Sequence, residues 1–267
     1  DPNLDFIFQG VFGLSTKRDS YYDFYADVIY ANLKALNFDK RDSVSVISFK
    51  TLANFTQKTS GDIIGNIQVK SMGYTNSNGK YSIGDITILS NSNRDNFVVS
   101  LKSSFAEMNY RGSKFINKFA EKLLEATTAR HIPNLGVSLK GESNSEKPET
   151  YNLKLNFFDT RALSQLLLPG FFLSPNSSLN VSIDELMKVN IDFKAAKIGF
   201  KKDFSNNLNI KAVSGSEELN TTIYSVRIRL AGLDLDSSKI LLKAINNNIG
   251  LKLFYTNNTK LKNLLRF

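Results

Sequence analysis

Alternation of apolar and polar residues with a period of two runs through most of this chain and limits it to a β-rich fold. In residues 224–230, for example, Tyr, Val, Ile and Leu alternate with Ser, Arg and Arg. Residues two apart share one face of a strand. Short polar turns separate such runs, which begin roughly every 10–15 residues, as in an antiparallel meander. We predict a mainly β fold, a long curved antiparallel sheet (a β-taco or half-pipe with an apolar interior), carrying one amphipathic helix and a short helical turn.

Residues 113–130, SKFINKFAEKLLEATTAR, differ from the alternating runs. Phe115, Phe119 and Leu123 recur at helical spacing, with Lys and Glu on the opposite side. Ser113 is suited to be the N-cap. We predict an amphipathic helix here that covers or ends the sheet.

The most apolar block is residues 163–183, LSQLLLPGFFLSPNSSLNVSI. It starts like a helical turn, breaks at Pro169-Gly170 and again at Pro175, and resumes as a strand. We predict that it joins two runs of one sheet. The polar stretch 141–150 is the candidate hinge, so we divide the chain into a β-taco segment, 1–140, which ends in the helix, and a continuing β-taco segment, 141–267.

Composition argues against an enzyme. The 267 residues include no Cys and one His, His131, so thiolate or multi-histidine zinc sites and a Cys–His pair are excluded. No nucleophile elbow, phosphate loop or dinucleotide fingerprint occurs. The net charge is +9, but Lys and Arg are scattered, which favours a solvated strand face over a nucleic-acid site. We therefore expect no catalytic residue, no metal and no cofactor. No transmembrane helix is visible in the sequence, so any membrane anchor is expected outside it.

The apolar face of the strands is the candidate site. One helix is too small to cover it, and large exposed apolar patches usually meet a partner. The sheet either rolls up into a packed barrel or sandwich, or forms a groove that would hold lipid tails or another apolar chain. Each acyl CH₂ moved into such a groove is favourable by about 0.8 kcal/mol. The predicted lipid-groove residues are Phe6, Phe8, Phe12, Phe24, Val28, Val99, Leu101, Phe105, Leu153, Leu155, Phe157, Leu179, Val181, Ile183, Ile191, Phe193, Tyr224, Val226, Ile228, Leu230, Leu251 and Leu253.

Several segments resemble a known family. These are DPNLDFIFQG at the start, ADVIYANLKALNFDKRDSVSVISF at 26–49, and the block 163–183, followed by LNIKA at 208–212 and the strand ladder. Over nearly the whole chain they resemble the AsmA/TamB-type family, in particular the C-terminal region of TamB-like translocation and assembly module proteins of Bacteroidota type.

The resemblance implies a function. It implies a non-enzymatic lipid conduit that spans the periplasm and is anchored in the inner membrane through a region outside this chain. It also implies movement of phospholipid toward the outer membrane, and support of outer-membrane protein assembly together with a TamA-like outer-membrane barrel. The alternatives are an outer-membrane β-barrel or a β-rich surface or adhesin module. The lack of Trp and of aromatic girdles counts against the first, and the sequence offers no binding site for the second.

Overall fold

One large antiparallel sheet dominates the fold, which confirms the mainly β prediction. The structure, a computed structural model, describes residues 1–93, 96–135, 148–215, 217–257 and 259–266. The strands are β1 Leu4–Gly13, β2 Ser20–Asn32, β3 Ser45–Gln57, β4 Ile63–Asn76, β5 Gly79–Asn93, β6 Asn96–Ser103, β7 Ala106–Gly112, β8 Tyr151–Phe157, β9 Phe171–Leu173, β10 Ser177–Ile183, β11 Val189–Phe200, β12 Asp203–Ser214, β13 Glu218–Leu230, β14 Leu233–Ile245, β15 Asn248–Asn257 and β16 Thr259–Arg266.

The strands follow one another across the sheet in chain order, since most turns are hairpins. The exception is β9, which pairs with the far end of β11 and lies off the path. Within the described residues, β1 and β16 are the two edges and do not pair with each other. The sheet is therefore open, and the predicted half-pipe class is confirmed.

Residues 116–131 form a continuous helical segment, so the predicted helix is confirmed but begins three residues later than expected. It consists of a 3₁₀ turn, Ile116–Lys118, then α1, Phe119–Leu124, and a π-helical turn, Glu125–Ala129. A further 3₁₀ turn spans Pro133–Leu135.

The prediction that Ser113 caps this helix is wrong. The N-cap is Phe115, in an extended conformation and without a side-chain cap. Ser113 instead continues the pairing of β7 with β8. Its backbone N–H donates to the Thr150 carbonyl, and its hydroxyl accepts from the Thr150 N–H at 2.9 Å.

The block 163–183 folds as predicted. The second helix, α2, is Arg161–Leu167, and the chain then turns at Gly170, whose φ of +89° favours glycine. Both β9 and β10 lie against β11, separated by a break at Pro175, and β10 joins β8 to β11. The sheet also continues from β7 to β8, on either side of the proposed division at residue 141. Most of the candidate hinge lies outside the described residues, so the division into two segments stays a prediction.

A line of irregularities crosses the strands near one end of the sheet, the end at which β5 begins. Register shifts interrupt the pairing at residues 28–31 of β2, 69–73 of β4 and 236–239 of β14. Backbone φ is positive at Gly84 of β5 and Asn207 of β12. Bulges and such residues bend a strand and move its side chains to the other face. We call this line of irregularities the crease.

Two apolar clusters pack on the same face of the sheet at its opposite ends. The first cluster lies beneath residues 116–131 and contains Tyr110, Phe119 and Ile183. The second lies beneath α2 and contains Tyr74, Ile83 and Phe105. Phe119 stacks edge-on against Tyr110, with ring centroids 5.7 Å apart. These clusters are the described packed core, and they cover the middle strands of the sheet.

Candidate functional site: an apolar trough

One unbroken row of apolar side chains crosses the sheet from β2 to β15. Each member pairs directly with the next, so all lie on one face, which is also the face that carries both clusters. We call this set the apolar row. Its members are Phe24, Ala53, Ile67, Ile88, Leu101, Met108, Leu155, Leu179, Phe193, Ile210, Ile223, Ile240 and Leu253. Because neighbouring strands lie about 4.8 Å apart, the row extends over roughly 58 Å along the sheet.

The adjacent row on the opposite face is polar. All of its members except Leu89 and Leu241 are polar or charged, which keeps the outside of the sheet solvated. Its members are Asp23, Asn54, Asn66, Leu89, Ser100, Asn109, Lys154, Asn180, Asp192, Lys211, Thr222, Leu241 and Lys252. The apolar row therefore marks the inner face of a curved, two-sided sheet, and we call this inner face the trough.

The side chains of the apolar row line the trough, but the described residues do not cover them fully. Apart from buried Ala53, every residue of the apolar row is half-buried. The chain exposes 16409 Å² of surface. A compact monomer of its mass, 29.9 kDa, would expose about 11,700 Å². Both observations fit an elongated sheet whose inner face remains accessible.

The row passes between the two helix-covered clusters. Ile88, Met108 and Leu179 pack against the first cluster, whereas Leu101 and Leu155 pack against the second. The flanks are more open, because neither cluster includes a residue of β1, β13, β14 or β15. The middle of the trough is thus flanked by the two helix-covered clusters, whereas the outer strands lie beyond them.

Most residues predicted from the sequence to line the groove lie on this face. In β1, Phe6, Phe8 and Phe12 are exposed, and Phe8 stacks on Phe12 at a centroid distance of 5.5 Å. The remaining predicted residues on the trough face fall into three groups by burial. They are half-buried Phe24, Val28, Leu101, Leu153, Leu155, Phe157, Leu179, Ile191, Phe193, Ile228, Leu251 and Leu253, buried Val99, Phe105, Val181 and Ile183, and exposed Leu230 at a strand end.

The placement of Tyr224 and Val226 on the trough face is wrong. Tyr224 pairs with Asn209 and Lys239 on the outer face, and its neighbour Ile223 takes the inner position. Val226 lies at the crease and is 42% exposed. A strand with strict alternation would have kept both residues beside Ile228, but the pairing of β13 with β12 and with β14 is interrupted at Val226, and the phase of the alternation changes there.

Sequence reasoning also left several members of the apolar row out of the site, among them Ile67, Ile88, Met108, Ile210, Ile223 and Ile240. The signal that could have found them is the register between strands, in which apolar residues oppose one another. Alternation within a single strand does not reveal that register.

A polar contact holds α2 over the trough. Arg41, from the loop between β2 and β3, donates from Nη1 to the Leu167 carbonyl at 2.9 Å and from Nη2 to that of Leu166. These are the free carbonyls of a helix C-terminus, where a cation is favourable. Asp39, itself buried, accepts from Arg41 Nε at 2.8 Å. The Arg41 guanidinium holds the pKa of Asp39 well below its usual range.

A second polar group anchors the helical segment at the other end. Buried Glu149 accepts from the Tyr151 hydroxyl at 2.7 Å and lies 3.3 Å from Lys122 Nζ. Burial raises the pKa of Tyr151, as does its hydrogen bond to Glu149. His131 lies at the end of the helical segment. It is buried and lies 3.1 Å from the Ser214 hydroxyl through Nε2.

The described residues contain no group of three His, Cys, Asp or Glu side chains that could hold a metal ion. Across the same residues, none of the helices combines the length and apolarity needed to span a membrane. Comparison with protein-family models, curated proteins and solved structures found no match to this chain. The resemblance to the AsmA/TamB-type family therefore stays a prediction.

Proposed function

We propose that this chain is a non-enzymatic lipid-conduit protein that carries phospholipid acyl chains along its trough. The observation that supports this most is the apolar row, which is continuous from β2 to β15 and half-buried throughout apart from Ala53. A packed core would bury such side chains almost fully, and a solvated face would not be apolar in every strand.

The energetics favour aliphatic ligands. Each CH₂ moved from water onto an apolar surface contributes about 0.8 kcal/mol when fully buried, so an acyl chain gains several kcal/mol even in a partly open groove. The row offers similar side chains at every step. An acyl chain can therefore move along the trough with little change in its binding free energy, whereas a single deep pocket would retain it.

The wider setting rests on the family resemblance. We propose a periplasmic location, with an inner-membrane anchor outside this chain and contact with the outer membrane. There the protein would move phospholipid toward the outer membrane and support outer-membrane protein assembly with a TamA-like barrel partner. The polar outer row supports an aqueous surrounding for the sheet.

Photo-crosslinking tests the conduit directly. Ile240 and Leu241 are adjacent, both aliphatic and both half-buried, but Ile240 is in the apolar row and Leu241 lies on the outer face. A photo-reactive residue at each position, followed by extraction and mass spectrometry of the purified protein, should capture phospholipid at position 240 and much less at position 241. Equal capture at both positions, or none at 240, would refute the conduit.

A further inference from the structure

A cavity of about 520 Å³ lies between α2, β9 and the sheet. We call it the α2 pocket. Its volume lies within the roughly 300–1,000 Å³ typical of small-molecule sites. The lining residues are Leu101, Phe105, Ala106, Met108, Leu155, Phe157, Thr160, Leu163, Ser164, Leu167, Leu168, Phe171, Leu173, Phe193 and Ile198.

The α2 pocket offers an aliphatic surface. Its two polar side chains already have partners, because the Thr160 hydroxyl donates to the Leu173 carbonyl at 3.3 Å and the Ser164 hydroxyl donates to the Thr160 carbonyl at 2.9 Å. A polar ligand group placed inside would lose its hydration without gaining a hydrogen bond. The occupant that fits is a hydrocarbon chain.

The α2 pocket is continuous with the trough. Leu101, Met108, Leu155 and Phe193 line the pocket and are also members of the apolar row. An acyl chain on the row can therefore enter the pocket without crossing water. In the pocket the apolar row passes beneath α2. An acyl chain bound there would therefore contact protein on more sides than it would elsewhere on the row.

Lys201 lies beside the α2 pocket, and Lys202 follows it in the turn between β11 and β12. The Lys201 N–H donates to the Gly170 carbonyl at 2.8 Å, next to pocket-lining Phe171. Lys201 and Lys202 are exposed, and neither forms an ion pair with a described residue. The Lys201 ammonium lies 5.1 Å from the centroid of the Phe200 ring. The rim is thus cationic where the interior is apolar, which complements an anionic head group on a hydrocarbon chain.

We propose that the α2 pocket seats one acyl chain of an anionic phospholipid, with the phosphate at Lys201 and Lys202. This inference deepens the proposed function and rests on it. The pocket is then a holding site along the conduit, tighter than the open flanks on either side.

Phe171 and Phe172 provide a matched test of occupancy. They are adjacent and of the same type, but Phe171 lines the pocket, whereas Phe172 faces the other way, with its ring 5.1 Å from Lys197 Nζ. A photo-reactive residue at 171 should capture phosphatidylglycerol added in vesicles, and one at 172 should not. Equal capture at the two positions would overturn the pocket assignment.

Two filling variants test the site by native mass spectrometry. Ala106→Phe fills the buried interior of the pocket, and Leu168→Trp, at a half-exposed position, narrows it with less risk to folding. Each should reduce the bound phosphatidylglycerol by one molecule per chain. Unchanged stoichiometry in a folded Leu168→Trp protein would refute the pocket.

The double variant Lys201→Gln/Lys202→Gln tests the head group. Exposed ion pairs contribute little, so we expect about two- to fivefold weaker binding of phosphatidylglycerol and no change for phosphatidylcholine. Equal weakening for both lipids, or full displacement of phosphatidylglycerol by an equimolar free fatty acid, would refute the head-group assignment.

Crosslinking at Ile240 separates the two proposals. Capture at 240 without capture at 171 would refute the pocket and leave the conduit standing. Capture at 171 alone would refute the conduit and leave a single lipid site. Capture at neither position would refute both.

Discussion

Replacing Ile223 by alanine tests whether the trough is open in solution. Ile223 is a half-buried member of the apolar row, whereas Ile183 is 1% exposed in the first cluster. Both substitutions remove the same carbon atoms, and full burial of those atoms contributes about 2.4 kcal/mol. At Ile183 the packed surroundings add a cavity cost, so we expect a loss of about 2–5 kcal/mol in the free energy of unfolding. At Ile223 the side chain faces open space, no enclosed cavity forms, and the expected loss is about 1 kcal/mol.

The assay is urea unfolding of delipidated protein, followed by far-ultraviolet circular dichroism. Tyrosine fluorescence supplies a second probe, since the chain has ten Tyr and no Trp. Leu241→Ala is the control for the loss of a half-buried aliphatic side chain on the outer face. If Ile223→Ala costs as much as Ile183→Ala, the trough is filled by protein and the open-groove reasoning fails.

Three further predictions concern polar groups at the crease and at α2. Ser225 and Ser238 are buried register partners, but Ser225 donates to the Asn206 carbonyl at 2.8 Å, whereas the Ser238 hydroxyl has no hydrogen-bond partner among the described residues. Ser238→Ala should therefore leave the urea midpoint unchanged or raise it, and Ser225→Ala should lower it; the opposite order would contradict the hydrogen-bond assignment. Arg41→Ala should lower the melting temperature by releasing α2, while Arg41→Lys restores little, because Lys lacks the planar fork. The folded-state pKa of Asp39 is lowered, so its contribution to stability is present above the unfolded pKa of about 3.9 and is lost as pH falls below it. Asp39→Asn should make the acid-unfolding curve less steep below about pH 4, and an unchanged curve would contradict the ion-pair assignment.

Alternation in the sequence predicted most of the sheet, because each face of a strand has its own environment. In β8 and β10, Leu153, Leu155, Leu179 and Val181 lie on the predicted face. The same reasoning failed at Tyr224 and Val226, because the pairing of β13 with both of its neighbours is interrupted at Val226, and the change of phase there leaves no apolar signature in the sequence. Where the irregularity in a strand contains a glycine, as at Gly84 in β5, the glycine marks the change of apolar–polar alternation in the sequence.

The site was harder to predict than the fold, because it depends on contacts between distant segments. Arg41 reaches the end of α2 across 125 and 126 residues of sequence, and nothing near Arg41 distinguishes it from a solvated loop residue. The α2 pocket likewise depends on distant contacts, because α2 and β9 enclose it together with strands that are far away in the sequence. The sequence predicted that the block 163–183 connects two runs of one sheet. It did not predict that α2, at the start of this block, covers a pocket on the sheet, because that depends on contacts with distant strands.

The chain-order arrangement of the strands has a consequence for how the protein is made. Since nearly every strand bonds to its immediate predecessor, loop closure costs little entropy at each step, and the sheet can grow hairpin by hairpin. As in a repeat protein, folding can start at several places and spread to neighbours. There are two exceptions: the pairing of β7 with β8, which closes over residues 113–150, and the pairing of β8 with β10, which closes over α2 and β9. We expect these two pairings, one on each side of β8, to be the slow steps in the growth of the sheet.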